Sequence, residues 1–176
     1  MNVEGPLGYR LVAEGRFREN VGFGYEDFVV GTIIEHRPGR TVTEMDNVLM
    51  TTLTGNSTPI HLDAHYSSKT EWGRPLVCSL VTLSIVGGMT ARSTSGLTMG
   101  NLGWREIVLE APVFVGDTLY AETEITDKRL SNSRPHNGIV TCRTSGFNAT
   151  GQRVLRYTRS FLVPADAGAV RDETAY

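Results

Sequence analysis

The chain has 176 residues, of which 40% are hydrophobic, and this fits one globular domain with a sizeable core. Its formal net charge is -2, which gives no sign of binding to a polyanion such as nucleic acid. The longest apolar run, 76–89, is too short and too polar to cross a membrane. Because the N-terminus also lacks the basic-then-apolar order of a signal peptide, we expect a cytoplasmic protein that binds neither membranes nor nucleic acid.

The chain contains 2 cysteines, Cys78 and Cys142, and both lie within apolar runs. This placement predicts buried free thiols in a reducing compartment. Their spacing does not match that of metal ligands, so we expect no metal site.

The first residues give weak signals. Residues 1–24 are rich in glycine and charge without a clear period, so they form an N-terminal arm that is either ordered or flexible. A strand is predicted over 32–35, with a turn at Pro38-Gly39. A short helix is predicted to begin after Asp63, which is a suitable N-cap.

A helix is predicted over 43–53. Thr43 is its expected N-cap, and Asp46 lies three residues later, where its carboxylate can reach back and also favour the helix dipole. The residues that recur at helical spacing are Met45, Val48, Leu49, Thr52 and Leu53.

The second half of the chain reads as one buried helix followed by strands. The stretch from Leu76 to about Ala91 is apolar on nearly all sides, which suits a helix covered by a sheet. Short turns separate four predicted strands, over 103–109, 118–130, 138–148 and 153–163, and so indicate an antiparallel meander. The predicted class is α+β, with an antiparallel sheet wrapped around one long buried helix. The polar tail 165–176 is predicted to be disordered.

A polar turn after the first helix, 54–63, carries the strongest functional signal. It holds Asn56 and His61 five residues apart, with Pro59 fixing the backbone between them. Two polar groups on one rigid turn can address the same small molecule. A structural role for the histidine, or a helix-terminating role for Asn56 in the left-handed conformation, is the alternative.

Several stretches in this order resemble the MaoC-like dehydratases, a family similar to the R-specific enoyl-CoA hydratases. They are Gly55-Asn56-Ser57-Thr58-Pro59-Ile60-His61, Gly73-Arg74-Pro75-Leu76-Val77 and Phe114-Val115-Gly116-Asp117-Thr118-Leu119. The resemblance implies the hot-dog fold and a domain over 25–164. Asn101-Leu102-Gly103-Trp104 and 133–140 further resemble the branch that hydrates mesaconyl-CoA or itaconyl-CoA.

The family motif is Gly-Asp-x-Asn-Pro-x-His, and this chain departs from it at two positions. The family's catalytic aspartate falls on Asn56 and its asparagine on Thr58, while the histidine matches His61. The resemblance implies reversible hydration of an α,β-unsaturated acyl-CoA, with His61 as acid and base and Asn56 orienting water or substrate. It also implies that the backbone amide of Ser79 stabilises the thioester oxyanion.

Four residues are candidates for substrate binding: Thr58, Arg74, Arg134 and His136. Arg74 lies in a turn before the buried helix, where it binds a phosphate, a substrate carboxylate or nothing. Arg134 and His136 lie in a turn between strands and are candidates for a substrate carboxylate. Such a substrate would explain Asn56, because an aspartate about 4 Å from a second carboxylate costs roughly 4 kcal/mol at an effective dielectric near 20.

Two other functions on the same fold remain open. An acyl-CoA thioesterase usually carries an acidic residue on the buried helix, and 76–89 has none. A non-catalytic acyl-CoA-binding protein would explain the missing aspartate, although the retained His61 argues against it. By resemblance, and because open sheet edges need covering, we expect a homodimer or a higher homo-oligomer.

Overall fold

The computed structural model describes residues 8–176, so the first seven residues of the arm predicted over 1–24 lie outside the described part. Within the rest of that arm, strands β1 (Tyr9–Ala13) and β2 (Arg16–Glu19) form an antiparallel hairpin.

The core is a five-stranded antiparallel sheet. Its strands are β3 (Ile33–Thr41), β4 (Gly100–Leu109), β5 (Thr118–Leu130), β6 (Asn137–Asn148) and β7 (Arg153–Pro164). They lie in the order β3-β5-β6-β7-β4. The meander prediction is therefore correct for β5 to β7 and wrong for β4, which pairs with β7 at the opposite edge.

The chain between β4 and β5 does not form a tight hairpin but passes beside the segment that precedes the long helix. There Val77 N–H donates to the Val113 carbonyl at 2.9 Å, and Leu76 forms a bridge with Phe114. The predicted turn at Pro38-Gly39 is also absent. Strand β3 continues through it with a register shift, and its last residue, Thr41, pairs with Thr118.

The helices are α1 (Glu44–Thr54), α2 (Pro59–Leu62), α3 (Ala64–Ser67), α4 (Ser79–Thr90) and α5 (Ala167–Glu173). The predicted start of α1 is confirmed. The Thr43 hydroxyl accepts from Asp46 N–H, and the Asp46 carboxylate accepts from Thr43 N–H. The Asp63 cap is confirmed too, since its carboxylate accepts from Tyr66 N–H at 2.8 Å. None of the helices within 8–176 is long and apolar enough to cross a membrane.

Helix α4 lies on the inner face of the sheet, in the arrangement expected of a hot-dog domain. Its buried side presents Val81, Thr82, Val86 and Thr90. The opposite stripe of Leu80, Ser84 and Gly88 is exposed. The long helix is thus buried on one side, and the other side stays open in the single chain.

Helix α1 buries a polar face and exposes the face on which its apolar residues recur. Asn47 and Thr51 are 2% and 1% exposed, whereas Leu53 is 78% exposed. Met45, Leu49 and Val48 are exposed as well. The apolar spacing of 43–53 therefore marks an outer surface, because the inner surface is occupied by an amide and a hydroxyl that bind backbone groups.

The C-terminal segment 165–176 contains α5, so its prediction as a disordered tail is wrong. Arg10 on the N-terminal hairpin binds the Asp172 carboxylate at 2.5 Å. Arg171 donates to the Gly22 carbonyl at 2.7 Å. The contacts that order this segment are formed with residues more than a hundred positions away, so local composition could not reveal them.

Candidate functional site

His61 lies on α2 with one ring nitrogen tied to the backbone. Its Nδ1 is 2.8 Å from the Leu76 carbonyl oxygen. A carbonyl can only accept, so Nδ1 carries the hydrogen in the neutral ring, and Nε2 keeps its lone pair. The side chain is half-buried, and the ring lines a cavity. The hydrogen bond at Nδ1 therefore leaves Nε2 as the nitrogen that can accept a proton in the neutral ring.

The backbone around His61 is fixed by a short two-way connection. Pro59 is the first residue of α2, a position where its missing N–H costs nothing. The Ile60 carbonyl accepts from Leu76 N–H at 3.0 Å, while the Leu76 carbonyl accepts from the His61 ring. The turn carrying the histidine is thus bound directly to the segment that leads into α4.

Ser79 begins α4 on the other side of the same cavity. As the first helical residue, its N–H has no acceptor within the helix, and the positive end of the helix dipole lies there. His61 and Ser79 both line a cavity of about 390 Å³. The structure therefore brings together the two groups that the sequence predicted as base and oxyanion donor.

Mostly apolar walls surround these groups: Trp72, Leu76, Val77, Leu109, Ala111, Pro112 and Val113. Besides His61, Glu110 is the other titratable residue among those that line the cavity. Its carboxylate is paired with Arg153 at 2.6 Å and Arg156 at 2.7 Å. These two guanidiniums hold the pKa of Glu110 below its usual range, and the hydrogen bond from Arg153 is the largest cause. Glu110 is therefore held as a carboxylate paired with two arginines, and His61 is the other titratable side chain that lines the cavity.

Asn56 and Thr58 bind one another at the end of α1. The Asn56 Oδ1 accepts from Thr58 N–H at 3.2 Å and from the Thr58 hydroxyl at 2.6 Å. The Asn56 amide nitrogen lies 3.7 Å from the Cys78 sulfur, one residue before Ser79. The left-handed position that ends α1 is taken by Gly55, with φ 66°, so Asn56 does not serve that role. Asn56 is beside the start of α4, although it does not line the cavity that holds His61.

Arg74 lies at the surface next to the cavity wall. Its guanidinium carbon is 4.0 Å from the centre of the Phe114 ring. Trp72, which lines the cavity, contacts the same ring with the two centres 6.3 Å apart. Arg74 is thus placed to meet an anionic group at the edge of the site.

Arg134 and His136 do not join this site within one chain. They lie in the turn between β5 and β6, beyond Leu130, whereas the cavity is lined by 109–113, in the segment that leads into the other end of β5 at Thr118. Thirteen residues of β5 separate the two ends, about 40 Å for an extended strand. Within one chain the strand therefore holds these two residues apart from His61, and their binding of a substrate carboxylate stays a prediction.

Sequence reasoning missed Asn47, which is buried between α1, α2 and α4. One sequence signal could have revealed it. Asn47 lies one turn before Thr51, so the two form a polar pair at helical spacing on a helix otherwise rich in Met, Val and Leu. Buried amides need partners, so such a pair indicates bound backbone groups nearby.

A helix seated on a five-stranded antiparallel sheet defines a hot-dog domain, and a histidine on a neighbouring short helix shares a cavity with the residue that begins the long helix. The chain belongs to the MaoC-like domain family, whose sequence profile matches residues 27–146. This family assignment agrees with the resemblance carried by the motif that ends in His61.

Two curated relatives have named activities. The chain is 31% identical to the β-methylmalyl-CoA dehydratase of Chloroflexus aurantiacus over 158 residues, covering 89% of this chain and 45% of that protein. It is 31% identical to the mesaconyl-CoA hydratase of Cereibacter sphaeroides, covering 83% of this chain and 42% of that protein. The chain therefore spans about half the length of these relatives.

A solved structure with the same fold is likewise matched over about half of its own length. A conserved hypothetical protein of Mycobacterium tuberculosis, described as a double hotdog fold, is 23% identical with a TM-score of 0.76. The match covers 84% of this chain and 46% of that one. This likeness concerns the fold alone.

Proposed function

We propose that the protein is a hydro-lyase of the enoyl-CoA hydratase type, which adds water reversibly to an α,β-unsaturated acyl-CoA. The observation that carries this proposal is the cavity that both His61 and Ser79 line, where His61 is bound to the backbone through Nδ1. Family membership and the names of the relatives support it.

The chemistry needs a base, an acid and a donor for the thioester oxygen. His61 Nε2 takes a proton from water, whose oxygen forms a bond to the β-carbon. The π electrons of the double bond move toward the thioester oxygen, which the Ser79 N–H stabilises as an oxyanion. The protonated Nε2 then returns a proton to the α-carbon, so water has been added across the bond. Asn56, in the turn between α1 and α2 and next to Cys78, is proposed to orient the water or the substrate, and Thr58 holds its amide oxygen.

We further propose a short branched or dicarboxylic acyl group, of the mesaconyl-CoA or itaconyl-CoA kind. A relative named mesaconyl-CoA hydratase and the neutral amide at Asn56 support this class. An aspartate at that position would repel a substrate carboxylate, whereas the amide does not. Arg74 is the cation nearest the cavity wall among the predicted binding residues, and it is proposed to bind a carboxylate or a CoA phosphate. Hydration needs neither redox chemistry nor a metal centre, so neither a metal nor a redox cofactor is part of the proposal.

The single chain leaves apolar surface uncovered, which supports a homodimer or a higher homo-oligomer. The outer face of α1 and the outer stripe of α4 enclose a groove of about 620 Å³ floored by Leu49, Met50, Leu53, Val81, Ile85 and Met89. Exposed apolar patches of this kind mark association surfaces. Both edge strands, β3 and β4, are also open to pairing. The two buried free thiols suit a reducing cytoplasm.

The proposal is tested by incubating the protein with crotonyl-CoA, mesaconyl-CoA and itaconyl-CoA. Hydration is followed as loss of the enoyl-thioester absorbance, and the product is identified by the added mass of one water. Release of free CoA, measured with a thiol reagent, would instead indicate a thioesterase. Binding of the thioesters without loss of absorbance would indicate the non-catalytic alternative.

A further inference from the structure

We propose that Asn47 is a positioning residue that sets the distance between the His61 imidazole and the Ser79 amide. The inference rests on the hydratase function proposed above. It concerns a side chain that touches neither reacting group but binds the backbone on both sides of them.

Asn47 makes three hydrogen bonds from a fully enclosed position. Its Nδ2 donates to the His61 carbonyl at 2.7 Å and to the Leu76 carbonyl at 3.3 Å. Its Oδ1 accepts from Cys78 N–H at 2.8 Å. The side chain is 2% exposed, so water cannot replace these partners in the folded state. One amide thus joins α1 to α2, to the segment before α4 and to the N-cap of α4.

Each of these partners bears on the site. The Leu76 carbonyl is the group that accepts from His61 Nδ1, so Asn47 and the imidazole share one oxygen. Cys78 directly precedes Ser79, whose N–H is the proposed oxyanion donor. A shift of the Asn47 amide would therefore move the base and the donor relative to each other.

Geometry of this kind affects rate more than binding. A misplacement of about 1 Å between reacting groups can cost about 100-fold in rate. The substrate would still meet the same walls, so its affinity should change little. This separates a positioning role from a simple loss of folded protein, which would lower the amount of active enzyme without altering the site.

Two substitutions probe the role. Asn47→Asp is nearly isosteric and keeps the acceptor for Cys78 N–H while removing both donors. Asn47→Ser removes the same donors without adding a buried charge and leaves room for water. The matched control is Thr51→Val, on the same helix and equally buried, because the Thr51 hydroxyl binds only carbonyls within α1.

We expect both Asn47 variants to lower kcat by about 50- to 100-fold with KM within about threefold, and Thr51→Val to keep both within about threefold. Nitrogen NMR of the His61 ring should show one neutral tautomer, protonated at Nδ1, in the wild type and a mixture in the Asn47 variants. Thermal unfolding identifies any variant that fails to fold.

The inference is overturned if a folded Asn47 variant keeps kcat within about threefold and the ring keeps the same tautomer. If the wild type hydrates no thioester, the proposed function fails, while the ring tautomer still decides whether Asn47 positions His61.

Discussion

Two histidines of this domain, the half-buried His61 and the buried His36, show what distinguishes a candidate reactive imidazole from a structural one. His61 is bound to a carbonyl through Nδ1, and the residue lines a cavity. His36, on β3, is 3% exposed, and both its nitrogens are bound, to the Ser93 and Thr123 hydroxyls at 2.8 Å each. The Thr123 hydroxyl continues to Thr144 at 2.9 Å. A histidine with both nitrogens occupied in the core has no site for a substrate proton.

The environment of His36 also determines its charge. Burial, and to a smaller extent the neighbouring Arg37 charge, lowers the pKa of His36 from 6.5 to about 4. The folded protein therefore holds this ring neutral throughout the physiological range. A histidine that binds a carbonyl through only one ring nitrogen is therefore a better candidate for a general base than a histidine that is merely buried.

The largest expected effect comes from His61→Asn. The new amide nitrogen can still donate to the Leu76 carbonyl, while the acceptor at Nε2 is lost. We expect kcat for hydration to fall roughly 1000-fold, since general acid–base groups contribute about 100- to 10,000-fold. Steady-state kinetics with an enoyl-CoA measures this.

The control for that substitution is His36→Gln, which should change kcat by less than about threefold. If His61→Asn retained most of its activity while His36→Gln lost it, the assignment of the two histidines would have to be reversed.

The second effect concerns stability and pH. Below pH about 6.5 the unfolded chain binds a proton at His36, whereas the folded chain does not until pH about 4. The stability due to the neutral ring is therefore complete above pH 6.5 and is lost as the pH falls toward 4. Between pH 8 and 4.5, the free energy of unfolding of the wild type should fall by about 2–3 kcal/mol more than that of His36→Gln.

Urea unfolding at the two pH values measures this difference, and the carboxylates common to both proteins cancel in the comparison. Parallel pH profiles for wild type and variant would show that His36 is protonated in the fold.

The third effect concerns substrate charge at Asn56. Asn56→Asp should lower turnover of mesaconyl-CoA relative to crotonyl-CoA by at least about tenfold, because the new carboxylate repels that of the substrate. The matched control is Ser57→Asp, which places the same charge on the exposed neighbouring position of the turn. An equal response of the two substrates to Asn56→Asp would remove the charge argument for this amide.

The smallest effect concerns the surface arginines. Arg74→Gln should raise KM for the acyl-CoA by about three- to tenfold, as expected for an exposed ion pair with a bound anion. Arg134→Gln should change KM by less than about twofold, since it lies at the far end of β5. An equal rise for both would mean that Arg134 reaches the site from a second copy of the chain.

Much of the fold could be predicted from local sequence. The limits of β5, the capping of α1 by Thr43 and Asp46, and the Asp63 cap follow from nearest neighbours along the chain, and the structure confirms them. The path of β4 and the ordering of 165–176 could not be predicted, because both depend on partners distant in sequence.

The candidate site divides in the same way. His61 was found because a motif of seven residues carries it, and Ser79 because it matches the position of the family's oxyanion amide near the start of the apolar helix. Asn47 was missed because its three partners lie 14, 29 and 31 residues away. Arg134 and His136 were grouped with the site by resemblance, and the length of β5 keeps them away from it in one chain.

The sequence by itself indicated the family, because its motifs resemble those of that family. It also determined the α+β class and the presence of a histidine on a rigid turn, because these depend on spacing and on local caps. Only the tertiary structure decided that His61 binds the Leu76 carbonyl through Nδ1. It likewise decided that the Glu110 carboxylate is paired with two arginines and that α1 buries the face that carries Asn47. Each of these depends on a hydrogen bond or an ion pair between segments that meet only after the sheet has formed around α4.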